Sequence, residues 1–456
     1  MRQFLTTEQV AERLGVKPAT VYAYVSRGLL PSRRNAAGKA SLFAKADVDA
    51  LIAGRKRVTP NIQTGITLIR DGGLFYRGQD ATALARTSTY EAVANLLWTG
   101  ELDHTPFRAD PELVALATSV GALLPASARL TDRLRVTVAA VAAADPLRFD
   151  TAPAAVQATG RTLTATMVAA LPPRARPAGS PRDQPAGSTA GSPHDQPAAA
   201  PSGLLHDQSG ARPPGDQPLP SSQARSDADG AAAATGDDRL SAAAAAARES
   251  VGALLWPRLT ALPMSETERR VLEAALILLA DHDIAASTLA ARVAASTRAH
   301  PYAVVSAGLA ALDGPLHGAA SEYVHPLLVR AVAGEDPVAI VSEHLRVSGG
   351  IPGFGHPLYP SGDPRATALF ALLGDHPVGD AATRLADAVR TRSGILPNID
   401  LALAALALRY DMPPDAGEAI FAVARTAGWL AHALEEYANR AARFRPTGQY
   451  SGRPPA

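Results

Sequence analysis

The chain has 456 residues and a mass of 47.1 kDa, enough for two or three domains at roughly 150 residues each. Its 44 Lys and Arg balance 43 Asp and Glu, so the net charge of +1 excludes a chain-wide attraction to nucleic acid or anionic membrane, and any basic patch must be local. The absence of Cys excludes thiol catalysis, disulfide stapling and thiolate metal sites.

The opening MRQFLTTEQV has no long apolar core, and no apolar run along the chain reaches about 18 residues. A soluble protein located in the cytoplasm is therefore expected.

In the first 57 residues, Thr6-x-x-Gln9 reads as a capping box that opens a helix running to Leu14, which Gly15-Val16-Lys17-Pro18 then breaks. A second helix is predicted over Ala19 to Arg27, with Gly28 as its C-cap. This segment holds 11 Lys and Arg against 4 Asp and Glu, the local basic balance that a phosphate-contacting module needs. The run LTTEQVAERLGVKPATVYAYVSRGLLP, followed by RRNAAGKASLF and DVDAL, resembles the winged helix-turn-helix of the MerR and excisionase type. That resemblance implies a DNA-binding domain over residues 1–57. Thr20, Tyr22, Tyr24 and Arg27 would then face the major groove, with Arg33, Arg34 and Lys39 in a wing near phosphates. The competing reading is a helical module for dimer or protein contacts.

Next along the chain, GITLIRDGGLFYRG at residues 65–78 places two β-prone runs around Asp71-Gly72-Gly73, which predicts a hairpin. Residues 172–238 hold 12 Pro and 8 Gly with no Phe, Tyr or Trp, and carry a degenerate repeat centred on Asp183, Asp195, Asp207 and Asp216. They read as a disordered low-complexity insertion rather than a solenoid, with a partner-binding tail as the alternative. Long loops add little closure entropy, so the two ends of the insertion are expected to lie close together. The flanks, including ERRVLEAALILLADHD and FAVARTAGWLAHALEEYANRAARF, carry apolar residues at helical spacing, and the body is expected to be mainly helical.

Three of the eleven His lie in turn-like contexts, in Asp281-His282-Asp283, in Gly314-Pro315-Leu316-His317-Gly318 and in Gly353-Phe354-Gly355-His356-Pro357. Gly318, Gly353 and Gly355 remove side-chain bulk beside an imidazole, which would let a substrate approach. No HExxH or HxH pair suggests a metal, and no G-x-S-x-G elbow suggests a serine nucleophile. What remains is a set of His, Asp and Arg: His282, His317, His356, Arg365, Asp400 and Arg425, with Arg445 near the end. Several Arg point to a substrate with more than one carboxylate. Taken singly, Arg425 and Arg445 read as helix-surface charges, His282 as a core histidine and Asp400 as a helix N-cap. His104, His300, His325, His344, His376 and His432 are expected to be structural.

The blocks DHDIAAST, GPLHGAASE, GGIPGFGHPLYPSGDPRA, PNIDLALAAL, ARTAGWLAHALEE and FRPTGQYSG resemble, in this order, those of citrate synthases, as do TGITLIRDGGLFYRGQDATAL and YEAVANLLWTGEL. The resemblance spans residues 58–171 and 239–452. It implies an all-α fold with large and small helical subdomains over 58–456, the small one at about 318–410, preceded by the winged helix-turn-helix.

The activity it implies is condensation of acetyl-CoA with oxaloacetate to give citrate and CoA, without a metal or other cofactor, by a homodimer. Asp400 would remove a methyl proton from acetyl-CoA while neutral His317 hydrogen-bonds the thioester oxygen, and His356 would polarise the ketone of oxaloacetate. His282, Arg365, Arg425 and Arg445 would hold its carboxylates, Arg445 across the subunit interface. The loop of Ile351, Pro352, Gly353, Phe354 and Gly355 would lie against CoA. Propionyl-CoA, giving 2-methylcitrate, is one alternative, and a transcription regulator that senses oxaloacetate or citrate is another. The chain departs from the family at Ser321, usually Asn, at Leu401-Ala402, commonly Phe-Tyr, and at Pro357, Pro360 and Thr447, which often carry basic residues. The first two departures are expected near the acyl group, and the others are expected to leave fewer phosphate contacts to CoA.

Overall fold

The computed structural model describes residues 4–26, 30–34, 41–55, 62–174, 250–348, 350–445 and 452. The chain forms two compact units, Met1–Gln63 and Thr64–Ala456.

In the first unit, β1 (Phe4–Thr6), α1 (Thr7–Leu14), α2 (Pro18–Ser26), β2 (Arg33–Arg34), β3 (Ser41–Ala44) and α3 (Lys45–Arg55) follow in order. The expected capping box is present: the Thr6 N–H donates to Gln9 Oε1 at 2.9 Å, and the Gln9 N–H donates back to the Thr6 hydroxyl. Gly15, at φ 63°, ends α1 in the left-handed conformation. The strands pair antiparallel in the order β1-β3-β2, and Val10, Val21, Leu30, Phe43 and Val48 form a small core beneath them. Tyr22 stands 55% exposed on α2 and Thr20 is half-buried, whereas Tyr24 packs against the core on the Val21 side. Tyr24 therefore has a packing role beside the groove-facing one expected of it. Arg33 is exposed, while Arg27, Gly28, Lys39 and the side chain of Arg34 lie outside the described residues.

The second unit opens with β4 (Thr67–Arg70), β5 (Gly73–Tyr76) and β6 (Gln79–Asp80). Arg70 pairs with Gly73, so the hairpin turns on two residues, Asp71 at φ 53° and Gly72 at φ 76°, the positive angles a primed turn requires. The third strand, β6, was not evident from the sequence. Helices follow: α4 (Ala81–Thr87), α5 (Tyr90–Thr99), α6 (Pro111–Gly121), α7 (Leu130–Ala144), α8 (Pro153–Ala169), α9 (Val251–Leu259), α10 (Glu266–Leu279), α11 (Ala286–Ser296) and α12 (Pro301–Leu312). The remainder are α13 (Ala320–Val332), α14 (Pro337–Ser348), α15 (Pro364–Leu373), α16 (Pro377–Ser393), α17 (Ile399–Arg409) and α18 (Ala416–Ala438). None of the described helices is long and apolar enough to cross a membrane.

The axis of this unit is α18, buried from Ala416 through Ala433 and packed against α5, α8, α10, α11 and α12. A helix apolar on every side must be wrapped on every side, and α18 is. The helices α13 to α17 pack chiefly on one another, with α17 beneath α13, α15 and α16. The chain segments flanking 175–249 meet: the Arg174 N–H donates to the Pro257 carbonyl at 2.9 Å, and the Arg258 guanidinium reaches the Ala169 carbonyl at 3.0 Å. The described residues on either side of 175–249 are thus neighbours, while residue 238, where the expected insertion ends, lies outside the described residues.

Candidate active site

The turns of α10, α13, α15 and α17 open onto one cavity of about 680 Å³, lined by His282, His317, His356, Arg365, Asp400 and Arg425. All five residues Ile351 to Gly355 line it as well. Side chains up to 143 positions apart in sequence, the separation of His282 and Arg425, are brought together here. Arg445 is exposed and does not line this cavity.

His282 follows directly from α10. Its position is set from behind, because the Arg425 Nε–H donates to the Leu279 carbonyl at 2.7 Å and the Gly428 N–H donates to the Ala280 carbonyl at 3.0 Å. The neighbouring Asp281 carboxylate is fully buried and accepts from the Thr67 hydroxyl at 2.5 Å and from His432 Nε2 at 3.2 Å. Arg292 donates to His432 Nδ1 at 2.5 Å, which leaves Nε2 as the protonated nitrogen facing Asp281. Burial works against the Asp281 charge, but His432 and Arg425 hold its carboxyl below the usual range. His432 thus has the structural role expected of it.

The three cavity imidazoles are neutral for a common reason. Burial disfavours their charged form, and cations already occupy the site. His317 is pushed down to about 4 by burial and by Arg425. His282 is held well below the ordinary histidine value by burial and then by Arg365 and Arg425, and His356 is lowered by burial and Arg365.

Hydrogen bonds fix where the protons sit. The Leu358 N–H donates to His356 Nδ1 at 3.2 Å, so neutral His356 carries its hydrogen on Nε2. His317 Nε2 lies 2.8 Å from the Ser287 hydroxyl, which leaves Nδ1 for a ligand.

Asp400 sits in the first turn of α17. The N-cap is Asn398, not Asp400: the Asp400 N–H donates to Asn398 Oδ1 at 3.0 Å. Asn398 also donates from Nδ2 to the Gly355 carbonyl at 3.0 Å and from its N–H to the Gly353 carbonyl at 2.9 Å. The loop that carries His356 is therefore stitched to the start of the helix that carries Asp400, and the two side chains are held in register. Burial raises the Asp400 carboxyl to about 7, with Arg365 opposing and Asp363 adding to the rise.

The two Arg differ in what they leave free. Arg365 is gripped by Asp363, with Nε to Oδ1 at 2.9 Å and Nη2 to Oδ2 at 2.8 Å, and this pair keeps it charged against the cost of burial. Arg425 is fully buried, its guanidinium 4.5 Å from the centroid of the Phe421 ring, and its Nη1 and Nη2 have no hydrogen-bond partner among the described residues. Burial lowers its pKa to about 10, against the pull of Asp281, so it is still a cation at neutral pH. Two orphaned, buried guanidinium nitrogens at a cavity wall form a seat for a carboxylate.

Several sequence expectations are corrected. Gly318 is buried for packing rather than for substrate access, since a Cβ there would meet the Leu312 carbonyl at 2.7 Å and its Cγ at 2.5 Å. Gly353, at φ 84°, lines the cavity and also packs against Val324 and Leu401, with a would-be Cβ only 2.7 Å from Val324 Cγ2. Ser321, Leu401 and Ala402 are buried and do not line the cavity. Pro357 does line it. Thr447 lies outside the described residues. His344, expected to be structural, lines the cavity too. The sequence reading missed Ser287, Asp363, Asn398 and Tyr359, although the quoted blocks DHDIAAST, GGIPGFGHPLYPSGDPRA and PNIDLALAAL contain all four. Among the described residues, no group of three or more metal-binding side chains could hold a metal ion.

A helical body thus collects three imidazoles, a carboxylate and two buried guanidiniums in one cavity. Residues 56–447 match the family profile described as "Citrate synthase, C-terminal domain", and the chain belongs to the citrate synthase family. Residues 4–56 match the "Helix-turn-helix domain" profile.

Among curated relatives, "Citrate synthase 2" of Bacillus subtilis (strain 168) is 36% identical over 195 residues, covering 41% of this chain and 52% of that protein. "2-methylcitrate synthase 2" of Corynebacterium glutamicum is 36% identical over 194 residues, covering 40% and 49%. The matched stretch thus spans about half the length of these relatives. Among solved structures, citrate synthase from Thermotoga maritima MSB8 superposes with a TM-score of 0.60 at 23% identity, covering 88% of this chain and 95% of that one. The ternary complex of carboxymethyl coenzyme A and oxaloacetate with the Thermoplasma acidophilum enzyme gives 0.59 at 22% identity, covering 89% and 97%. Both share the fold.

Proposed function

We propose that this protein condenses acetyl-CoA with oxaloacetate to give citrate and CoA. The observation that carries this reading is the meeting, in one cavity, of a carboxylate near neutral pKa, three neutral imidazoles and an Arg with two uncommitted nitrogens. A carboxylate alone is far too weak to deprotonate a thioester methyl, so the enolate oxygen needs a preorganised donor in a water-poor site. Asp400 takes the methyl proton, and His317 donates to the thioester oxygen as charge develops there. His356, protonated on Nε2, donates to the ketone oxygen of oxaloacetate as the enolate carbon attacks its carbon. Water then cleaves the citryl thioester to give citrate and the CoA thiol.

His282, Arg365 and Arg425 hold the two carboxylates. Arg445 completes the same site in a second copy of the chain. A homodimer accounts for its distance from its own cavity, and the apolar α6–α7 groove, with Leu116 37% exposed, offers the second copy a surface. CoA lies along Ile351 to Gly355. The helices of roughly 318–410 form the small subdomain that closes over the substrates, and the protein works in the cytoplasm.

The test is release of CoA thiol from acetyl-CoA with oxaloacetate, detected with a thiol reagent to which this Cys-free protein contributes no background. Propionyl-CoA in parallel decides between citrate and 2-methylcitrate formation. No turnover with either donor, from protein that binds oxaloacetate, refutes the enzyme reading.

A second reading is favoured by one observation, the helix-turn-helix of residues 4–56 with its local excess of basic residues. In it, the unit binds DNA through the faces of Thr20, Tyr22 and Arg27 and a wing of Arg33, Arg34 and Lys39, and the synthase body reports oxaloacetate or citrate levels. DNA binding that is indifferent to either ligand refutes the sensing part.

A further inference from the structure

Tyr359 was not among the residues singled out in the sequence, yet three of the site's side chains meet on it. The Tyr359 N–H donates to the His356 carbonyl at 3.1 Å, and this tight turn folds the phenol ring back over the imidazole, with centroids 5.0 Å apart and planes at 36°. The Arg365 guanidinium lies 5.5 Å from the centroid of the same ring. The phenol oxygen ends 2.9 Å from His282 Nε2.

Two directions are open to that last bond. The phenol of Tyr359 is buried, and His282 is its one hydrogen-bond partner among the described residues. Were His282 to donate from Nε2, the phenol hydrogen would be buried without an acceptor. Were Tyr359 to donate, both groups would be satisfied, and neutral His282 would carry its hydrogen on Nδ1. His356 offers no escape through Nδ1, which already accepts from the Leu358 N–H.

We propose that Tyr359 is a positioning residue that locks His282 as the Nδ1–H tautomer, so that this imidazole meets an oxaloacetate carboxylate as a hydrogen-bond donor. The tautomer itself follows from the geometry, and its use rests on the reading given under Proposed function. Without the phenol, His282 can place a lone pair toward the substrate, and a lone pair repels a carboxylate.

The experiment uses the full chain labelled with 15N-histidine, without ligand, the His282 signals being identified by their loss in His282→Gln. The wild type is expected to show His282 protonated on Nδ1, and Tyr359→Phe, which keeps the ring against His356 and Arg365, is expected to show a mixture of tautomers. Calorimetric titration with oxaloacetate should then give about tenfold weaker binding in Tyr359→Phe, the equivalent of ~1.4 kcal/mol, with the KM for acetyl-CoA unchanged. A wild-type His282 protonated on Nε2 overturns the proposal even if the variant does not fold. So does oxaloacetate binding by Tyr359→Phe equal to that of the wild type. Failure of the wild type to bind oxaloacetate refutes the synthase reading and the use of the tautomer, while the tautomer assignment is decided by the spectrum alone.

Discussion

A pH profile tests the assignment of the base more directly than loss of activity does. Burial raises the Asp400 carboxyl to about 7, while His317 is lowered to about 4 and His356 is lowered as well. Only ionised Asp400 can accept the methyl proton. With a value near 7, roughly a tenth of the enzyme is competent at pH 6 and roughly nine tenths at pH 8. The kcat/KM for oxaloacetate at saturating acyl-CoA should therefore rise about tenfold between these pH values, His317, at about 4, being neutral throughout. Thiol release followed in buffers of constant ionic strength measures it. Asp400→Asn should lower kcat by 100-fold or more, in the range of ~10²–10⁴ for a general base, and should flatten the residual profile. A wild-type profile that is flat or falling from pH 6 to 8 would refute Asp400 as the titrating base. The same shift has a stability consequence of opposite sign to the usual acid case. The folded state holds the Asp400 proton more tightly than the unfolded chain, so stability from this group falls as pH rises from about 4 to about 7, and Asp400→Asn should raise Tm at pH 8.

Three further outcomes are expected. Arg425→Gln removes the two unpartnered guanidinium nitrogens and should raise the KM for oxaloacetate by roughly 10–100-fold, the effect of one or two charged hydrogen bonds, with less change in the KM for acyl-CoA; steady-state kinetics in both substrates would show it. Ser287→Ala frees His317 Nε2 and should lower kcat about tenfold while leaving oxaloacetate affinity, measured by calorimetry, within twofold. Gly353→Ala forces a Cβ to within 2.7 Å of Val324 Cγ2 at φ 84°, and should destabilise the loop by about 1–3 kcal/mol, visible as a lower Tm together with weaker CoA binding.

The sequence carried the helical body, the primed hairpin turn and the capping box at Thr6 because each rests on local rules: periodicity, positive φ and reciprocal side-chain caps. Six of the seven catalytic and oxaloacetate-binding residues it proposed, all seven of them in quotable blocks, line one cavity. What it hid were partnerships. Nothing near Ser287 says that its hydroxyl meets His317 across 30 positions, and nothing near Asn398 says that it ties down a loop 43 positions upstream. Gly318 misled for a related reason: a glycine beside a catalytic residue looks the same whether ligand or Leu312 takes the space. Asp400 was readable as a helix-start residue, but only geometry shows that Asn398 holds the cap and leaves the carboxylate free of that bond.

Charge accounting within the cavity says what kind of ligand the protein awaits. Arg365 is already matched by Asp363, and Asp281, the acid that most supports Arg425, is itself committed to Thr67 and His432. Arg425 is therefore the guanidinium whose Nη1 and Nη2 have no hydrogen-bond partner among the described residues. A ligand without acceptors would leave its two nitrogens buried and unpartnered, whereas a carboxylate accepts from both and offsets the charge. Burial, helped by the Arg365 and Arg425 charges, shifts His282, His317 and His356 toward the neutral form, and neutral imidazoles of fixed tautomer are weaker acids but better aligned donors than cations free to turn. Anion binding and oxyanion stabilisation thus depend on one electrostatic arrangement. Removing the Arg425 charge should ease protonation of His282 and His317 as well as loosen the carboxylate, and kcat in Arg425→Gln should fall along with oxaloacetate affinity even at saturating substrate.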